Sequence, residues 1–489
     1  MWNNNTYPGC GCDIPSHMYS VSSDLNPNWT EFYSKQPEIK AYAKSVADRH
    51  NVSRHVRLGS QVLGMAWNEG TSEWTVTVRS VATGVESSIT CRYVILASGG
   101  LHIPQFPTTL KGFGDFSGPA FHSSEWDHSA DYAGKRVAIV GSAASAVQIL
   151  PEVAKTASKV TVYQRTANWV VPRHQFRYPA WLKWLFQNVP GTMLLHRWTL
   201  FAVLDARIVG FTTKGGIFNR LLKLDCLSLL KKSVKDESVR RKLRPTITPG
   251  CKRVLVSDDF YATFNRPNVQ LVTSPIEHIA TGGIVSAEEG LVEADIVVYA
   301  TGFKVQDMFS QVSIKGRAGH ALPPAPSAGA DSTGLEGYYG TLVHGFPNLF
   351  TIMGPNTGTG HMSVISFIEC QLTLITKLMR GARETGAASV EVTAEAQEKF
   401  NKDIQEQFKG TVWTSGNCTS WYQDSTGRVL ALWPTTATQF WWQTREPNWD
   451  HYVLKGAERR VSRPSTLKRA LKLAIVLAFV YFMKRLLRR

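Results

Sequence analysis

Arg136-Val-Ala-Ile-Val-Gly141-Ser142-Ala143-Ala144-Ser145-Ala146 joins an apolar run, a glycine turn and the start of an alanine-rich stretch that continues to Ala157. A second apolar run, Lys159-Val-Thr-Val-Tyr-Gln-Arg165, follows it. β-Branched runs of this length, free of internal charge, predict strands covered on both faces, and the stretch between them predicts a helix. Strand, helix and strand in this order build a doubly wound parallel sheet. Two further runs, Tyr93-Val-Ile-Leu-Ala-Ser-Gly99-Gly100 and Asp295-Ile-Val-Val-Tyr-Ala-Thr-Gly302, also read as buried strands ending in a turn. The chain is therefore expected to be α/β.

The turn at Gly141 resembles a dinucleotide-binding fingerprint, G-x-G-x-x-G or G-x-G-x-x-A. Gly141 keeps the first position, Ala143 replaces the second glycine and Ala146 fills the third. The first position needs a tight turn, the second admits a pyrophosphate, and the third packs helix on strand. The pyrophosphate would meet the free N–H groups at the helix start, beside Ser142 and Ser145. A purely structural strand–helix turn is the competing reading of the motif alone. The next strand ends at Arg165-Thr166, where an acidic residue would hold a ribose 2′-hydroxyl. A cation there favours a 2′-phosphate, hence NADPH over NADH; a solvated surface arginine is the alternative.

Outward from this unit the patterns change. Glu73-Trp-Thr-Val-Thr-Val-Arg79 alternates, turns at Thr83-Gly84 and continues as Ser87 to Tyr93, which predicts an antiparallel hairpin. Residues 178–245 are rich in Leu, Trp and Lys and read as mainly helical. Arg317 to Gly340 is rich in Gly, Pro, Ala and Ser and reads as a surface loop.

The 489 residues suffice for two or three domains, with 43% hydrophobic and 19% charged residues. Net charge is +16, but after Ala457 ten Lys and Arg face only Glu458, so much of the excess belongs to the tail. No zinc-finger or RNA-binding signature accompanies it, which argues against nucleic acid as a partner. The seven cysteines form no scaffold pattern, Cys10 and Cys12 lack a second pair at metal spacing, and free thiols are expected. The polar start Met1-Trp-Asn-Asn-Asn-Thr carries no secretory signal, so the body reads as intracellular. In the tail, Leu473 to Met483 is uncharged between basic clusters. That is too short for an ordinary span of about twenty residues. Residues 467–489 are expected to form a membrane-surface or short tail-anchored helix; a helix docked on the core is the alternative.

Phe116-Ser-Gly118-Pro-Ala-Phe-His122-Ser-Ser-Glu-Trp126-Asp127 fits the pattern F-x-G-x-x-x-H-x-x-x-W-(P/D) at every defined position. This is the fingerprint of type I Baeyer–Villiger monooxygenases, and the resemblance to that family runs from about Met1 to Arg445. Tyr7 to Ser20 resembles the flavin-lining segment, with Asp13 at the active-site aspartate. Gly250-Cys-Lys252-Arg253 resembles the segment carrying the active-site arginine. Asp295 to Phe303 resembles the second Ala-Thr-Gly motif, and Asn348 to Gly354-Pro355 the strand and turn that close over the flavin.

The resemblance implies two Rossmann-like dinucleotide-binding domains, for FAD and NADPH. Residues 1–115 and 301–456 would form the FAD domain, 116–300 the NADPH domain with a helical insertion at 178–245, and 457–489 a basic and apolar tail. It implies a ketone substrate, hydrophobic in this branch, and O2. Arg253 would stabilise the activated oxygen anion and the developing oxyanion, Asp13 would hold Arg253, and His122 would couple NADPH binding to domain movement. An ion pair with only a structural role is the competing reading of Asp13 and Arg253. Cofactor contacts are implied for Trp2, Asp13, Tyr19, Thr301, Gly302 and Gly354 on the flavin side. Gly141, Ser142, Ser145, Ala146, Arg165, Thr166 and Lys252 fall on the NADPH side. The Cys12-Asp-Ile-Pro-Ser-His-Met-Tyr19 and Trp421 to Pro434 runs are similar to fungal members acting on polyketide or terpenoid ketones, those of the aflatoxin and sterigmatocystin pathways among them.

One departure stands out. The family begins with a strand, a Gly-rich turn and a helix that bind the ADP half of FAD, and the first residues here match a point just past that unit. The expectation is an FAD domain lacking its N-terminal βαβ unit, with Met1 an internal methionine of a longer protein. A truly short chain that binds FAD poorly is the alternative. Two other functions compete: an N- or S-oxygenating flavoprotein, disfavoured by Trp126-Asp127, and a catalytically impaired NADPH-binding relative.

Overall fold

The computed structural model describes residues 1–305, 308–322, 335–459 and 461. Helix α1 (Gln36–Arg49) precedes an antiparallel sheet of β1 (Ser60–Asn68), β2 (Glu73–Ser80) and β3 (Glu86–Cys91). The expected hairpin is β2–β3, with Gly84 at φ +72° in its turn. β1 is an additional strand, and β15 (Ser313–Lys315) runs parallel along its other edge. Trp67, Trp74 and Ile314 bury this sheet against Phe346 and Leu349.

The segment at Tyr93 departs from expectation. It forms a three-residue strand, β4 (Val94–Leu96), parallel to β16 (Leu349–Thr351), and these two make a sheet of their own. Ile95 is 44% exposed, so the strand is not covered on both faces. An apolar run reports what a strand could bury; the neighbours supplied by the rest of the chain decide what it does bury.

The central sheet follows the sequence reading. It contains β5 (Ala120–His122), β6 (Arg136–Val140), β7 (Lys159–Tyr163), β10 (Val269–Val272) and β14 (Ile296–Tyr299), all parallel, in the order β10-β7-β6-β14-β5. Helix α2 (Ala144–Val153) packs Val147, Leu150 and Val153 on one face, beside Ile139 and Val160. The other face is covered by Ile279 and Ile284 of a meander, β11 (Ile276–Ala280), β12 (Gly283–Ser286) and β13 (Gly290–Glu293). Two-sided burial is the physical reason these strands carry no internal charge. Charge is confined to the strand ends, where Arg136 Nη2 lies 2.7 Å from Asp295 Oδ1.

Residues 178–245 are mainly helical as expected, with α3 (Ala180–Asn188), α4 (Thr192–Ala206), α5 (Ile217–Ser233) and α6 (Glu237–Leu243). The short strands β8 (Val170–Val171) and β9 (Leu255–Val256) pair across the base of this segment. A helical turn, α7 (Phe260–Thr263), and the long helix α8 (Val364–Thr385) follow. The expectation of free thiols holds for five cysteines and fails for two: Cys251 and Cys418 form a disulfide that closes 167 residues. Those cysteines are too far apart in sequence for spacing to announce the bond. The tail segment 467–489 lies outside the described residues, as does part of the expected loop from Arg317 to Gly340. Among the described residues no helix is long and apolar enough to cross a membrane.

Candidate active site

Gly141 ends β6 at φ +114°, a backbone that L side chains rarely adopt. A Cβ there would meet the Ala300 carbonyl oxygen, at the end of β14, at 2.4 Å. The turn is thus pressed between two strands and delivers the chain to the start of α2. The Ser142 carbonyl accepts from Asn168 Nδ2 at 3.1 Å, and Ser142 Oγ donates to the Thr166 carbonyl at 3.4 Å. These bonds tie the two loops that follow β6 and β7. Ala146 is fully buried against the sheet, while Ser145 is half-buried. The free N–H groups of α2 therefore open onto the C-terminal ends of parallel strands, where doubly wound sheets bind nucleotides.

Arg165 is exposed just beyond β7, and Thr166 beside it is half-buried. Lys252 approaches from the segment before β9. Its ammonium is held below the ordinary lysine range by burial and then by the positive charge of Arg165. Two cations close enough to perturb one another suit an anion. The tight glycine turn, the open helix start and this cation pair fit the pyrophosphate and 2′-phosphate of NADP.

Asp13 and Arg253, 240 residues apart, form a two-pronged ion pair. Arg253 Nε donates to Asp13 Oδ2 and Nη2 to Oδ1, each at 2.8 Å. Arg253 Nη1 also donates to the Thr359 carbonyl at 3.4 Å. The Asp13 carboxylate raises the guanidinium pKa further, so Arg253 stays charged. The side chains are 30% and 27% exposed, which leaves the pair partly open. Tyr422, almost wholly buried, has its hydroxyl pKa pushed up to about 12 by burial, with Arg253 pulling against that rise. The Trp2 indole donates to Tyr19 Oη at 3.1 Å, their rings edge to face at 5.7 Å. Burial pushes the Tyr19 hydroxyl pKa up as well, so it stays protonated.

His122 sits at the end of β5, fully buried, with Phe106 and Phe303 edge-on at 5.4 Å each. Its Nδ1 accepts from the Ser124 backbone N–H at 3.2 Å, which leaves the proton on Nε2 in the neutral ring. Burial lowers its pKa, opposed by the Gly302 backbone. Gly302 follows β14, and its carbonyl accepts from the Gln105 N–H at 2.9 Å. Thr301 Oγ1 donates to the Gln105 carbonyl at 2.5 Å. The two strand-to-strand crossings thus meet beside His122. Gly354 lies in a separate turn, where a Cβ would meet the Gly340 carbonyl oxygen at 2.5 Å. Gln371 of α8 fixes this turn, accepting from Met353 N–H at 3.0 Å and donating to Gly340 O at 2.8 Å.

Three residues at the site were not foreseen from sequence. Thr359 and Tyr422 come to Arg253, and Arg173 Nη2 donates to the Cys12 and Tyr33 carbonyls at 3.3 Å each. Only Tyr422 had a local signal, the Trp421 to Pro434 run.

A family described as flavin-binding monooxygenase-like matches residues 17–320. A Baeyer-Villiger monooxygenase of Streptomyces coelicolor is 36% identical over 465 residues, covering 94% of this chain and 86% of the relative. One from Pseudomonas aeruginosa is 35% identical, covering 91% and 82%. The FAD-binding monooxygenase ktnD of Aspergillus niger is 31% identical, covering 93% and 76%. Among solved structures, OTEMO complexed with FAD and NADP superimposes with a TM-score of 0.79 at 25% identity, covering 93% of this chain and 92% of that one. A steroid monooxygenase bound to NADP gives the same values. The fold is thus that of enzymes with FAD and NADP Rossmann-like domains, and the chain belongs to the flavin-binding monooxygenase-like family, as a flavin- and NADPH-dependent monooxygenase of the Baeyer–Villiger type.

Proposed function

We propose that the chain inserts one atom of O2 beside the carbonyl of an apolar ketone, giving an ester. The observation that carries this reading is the Arg253–Asp13 fork. It occupies two N–H groups of Arg253 and leaves others of the same planar group for an oxygen gaining negative charge. Asp13 fixes the plane of the guanidinium and keeps it charged. FAD, reduced by NADPH, supplies the activation of O2. Trp2, Tyr19, Thr301, Gly302 and Gly354 are assigned to the flavin side. Gly141, Ser142, Ser145 and Ala146 are assigned to the NADPH pyrophosphate, and Arg165, Thr166 and Lys252 to its 2′-phosphate. His122, neutral at the crossing of the two linkers, is assigned to transmitting NADPH binding between residues 116–300 and the flavin side. The substrate class proposed is a polyketide-type ketone, on the likeness of the Cys12–Tyr19 and Trp421–Pro434 segments to fungal members.

Arg253→Ala tests the assignment with a panel of cyclic and aromatic ketones. Removing one charge-stabilising donor group of this kind costs about 10²–10³ in turnover. Ester formation should fall by that much while NADPH oxidation continues. Ester yield equal to the unchanged protein would refute the role of Arg253. A visible spectrum without flavin absorbance after addition of FAD would refute the flavin-dependent reading.

A further inference from the structure

Helix α4 is apolar on both sides. Its inner face sends Met193, Leu200, Phe201 and Leu204 into the core beneath the Asp13 loop. Its outer face presents Leu194, Leu195, Trp198 and Val203, and none of its exposed positions is charged. A helix apolar all round belongs in a protein core or in lipid. The neighbouring helix α3 adds Trp181 and Trp184; with Leu195 and Trp198 these are 60–67% exposed. The helix is firmly held: Arg197 Nη1 donates to the His17 carbonyl at 2.6 Å, and Asp205 Oδ1 accepts from the Ala437 N–H at 2.6 Å. Leucine and tryptophan exposed together on a fixed helix form a contact surface rather than a scatter of single apolar residues.

The helical segment that carries this surface is cationic. Residues 177–244 contain fourteen Lys and Arg against four Asp and Glu, with Arg197 and Asp205 buried. We propose that the outward face of α3 and α4 is an interfacial membrane-binding surface that seats on an anionic lipid bilayer. Charge complementarity selects this occupant. A second copy would set one cationic segment against another, and the apolar run Leu473–Met483 is itself flanked by Lys and Arg, so it offers no opposite charge. An anionic bilayer complements the positive charge, while tryptophan and leucine enter the headgroup boundary. The surface lies within helices too short to cross a membrane, so the contact is monotopic. It is independent of the reaction assigned above, and it backs onto the core that carries Asp13.

Flotation of the full chain with phosphatidylcholine vesicles, with and without phosphatidylserine, tests the proposal. The chain should float with the anionic vesicles and be released by high salt. The variant Trp181→Gln/Trp184→Gln/Leu195→Gln/Trp198→Gln should float at least about tenfold less. The tail variant Val476→Asp/Phe479→Asp should still float. A polarity-sensitive dye on Leu195→Cys should shift to the blue with anionic vesicles, and the same dye on Val81→Cys, in the β2–β3 turn, should not. No flotation, flotation lost in the tail variant alone, or a dimer abolished by the four-residue variant without vesicle binding would each overturn it.

Discussion

Gly141→Ala probes the point where sequence motif, backbone and proposed cofactor site coincide. At φ +114° the new methyl adopts a conformation costing about 1–2 kcal/mol. It also meets the Ala300 carbonyl oxygen at 2.4 Å, and that oxygen is backbone, so β6 and β14 must separate. Overpacking of this kind adds about 1–3 kcal/mol. The total, about 2–5 kcal/mol, corresponds to a fall in melting temperature of roughly 5–15 °C for a domain of about 150–250 residues. Because the turn aims α2, its retreat should weaken NADPH binding about tenfold or more, a change worth about 1.4 kcal/mol. Thermal melts and NADPH titration measure the two effects separately. Gly134→Ala is the control, since its φ of +68° carries the same conformational cost while its Cβ would meet nothing within 4 Å. A Gly141→Ala protein that melts and binds NADPH like the parent would refute the strain argument.

The cation pair and a buried histidine give two further predictions. Lys252→Ala should raise the KM for NADPH about ten- to a hundredfold, the range for lost charge-assisted hydrogen bonds, and leave the KM for NADH unchanged; equal effects on both cofactors would remove Lys252 from the 2′-phosphate. His17 is buried against Tyr178, Phe186 and His196, with no hydrogen-bond partner on Nε2 among the described residues, and burial holds its pKa at about 3 against an ordinary 6.5. Between those values the unfolded chain binds a proton at His17 and the folded chain does not, so stability rises with pH through the window and falls on acidification from 6.5 toward 3. His17→Phe should flatten that slope, by on the order of a few kcal/mol at the acid end, in melting temperatures recorded against pH; an unchanged slope would show that other groups carry it.

What the sequence alone determined follows from local physics. Apolar β-branched runs at Arg136, Lys159 and Asp295 had to be covered on both faces, and a glycine was required where β6 turns into α2. Those demands sit within a few residues, so a doubly wound sheet and the tight turn assigned to the nucleotide could be read from the chain. The resemblance carried by Phe116–Asp127 added the reaction class. Only the tertiary structure brought Asp13 onto Arg253, Lys252 beside Arg165, and Cys251 into a bond with Cys418, because each pair is far apart in sequence and no spacing encodes the meeting. It also separated equal hydrophobicity by fate. Ile95 looked like part of a buried strand and is 44% exposed, and within α4 Leu204 is buried while Leu194, Leu195, Trp198 and Val203 face outward. Burial is a property of what packs against a residue, and that is settled by the whole chain.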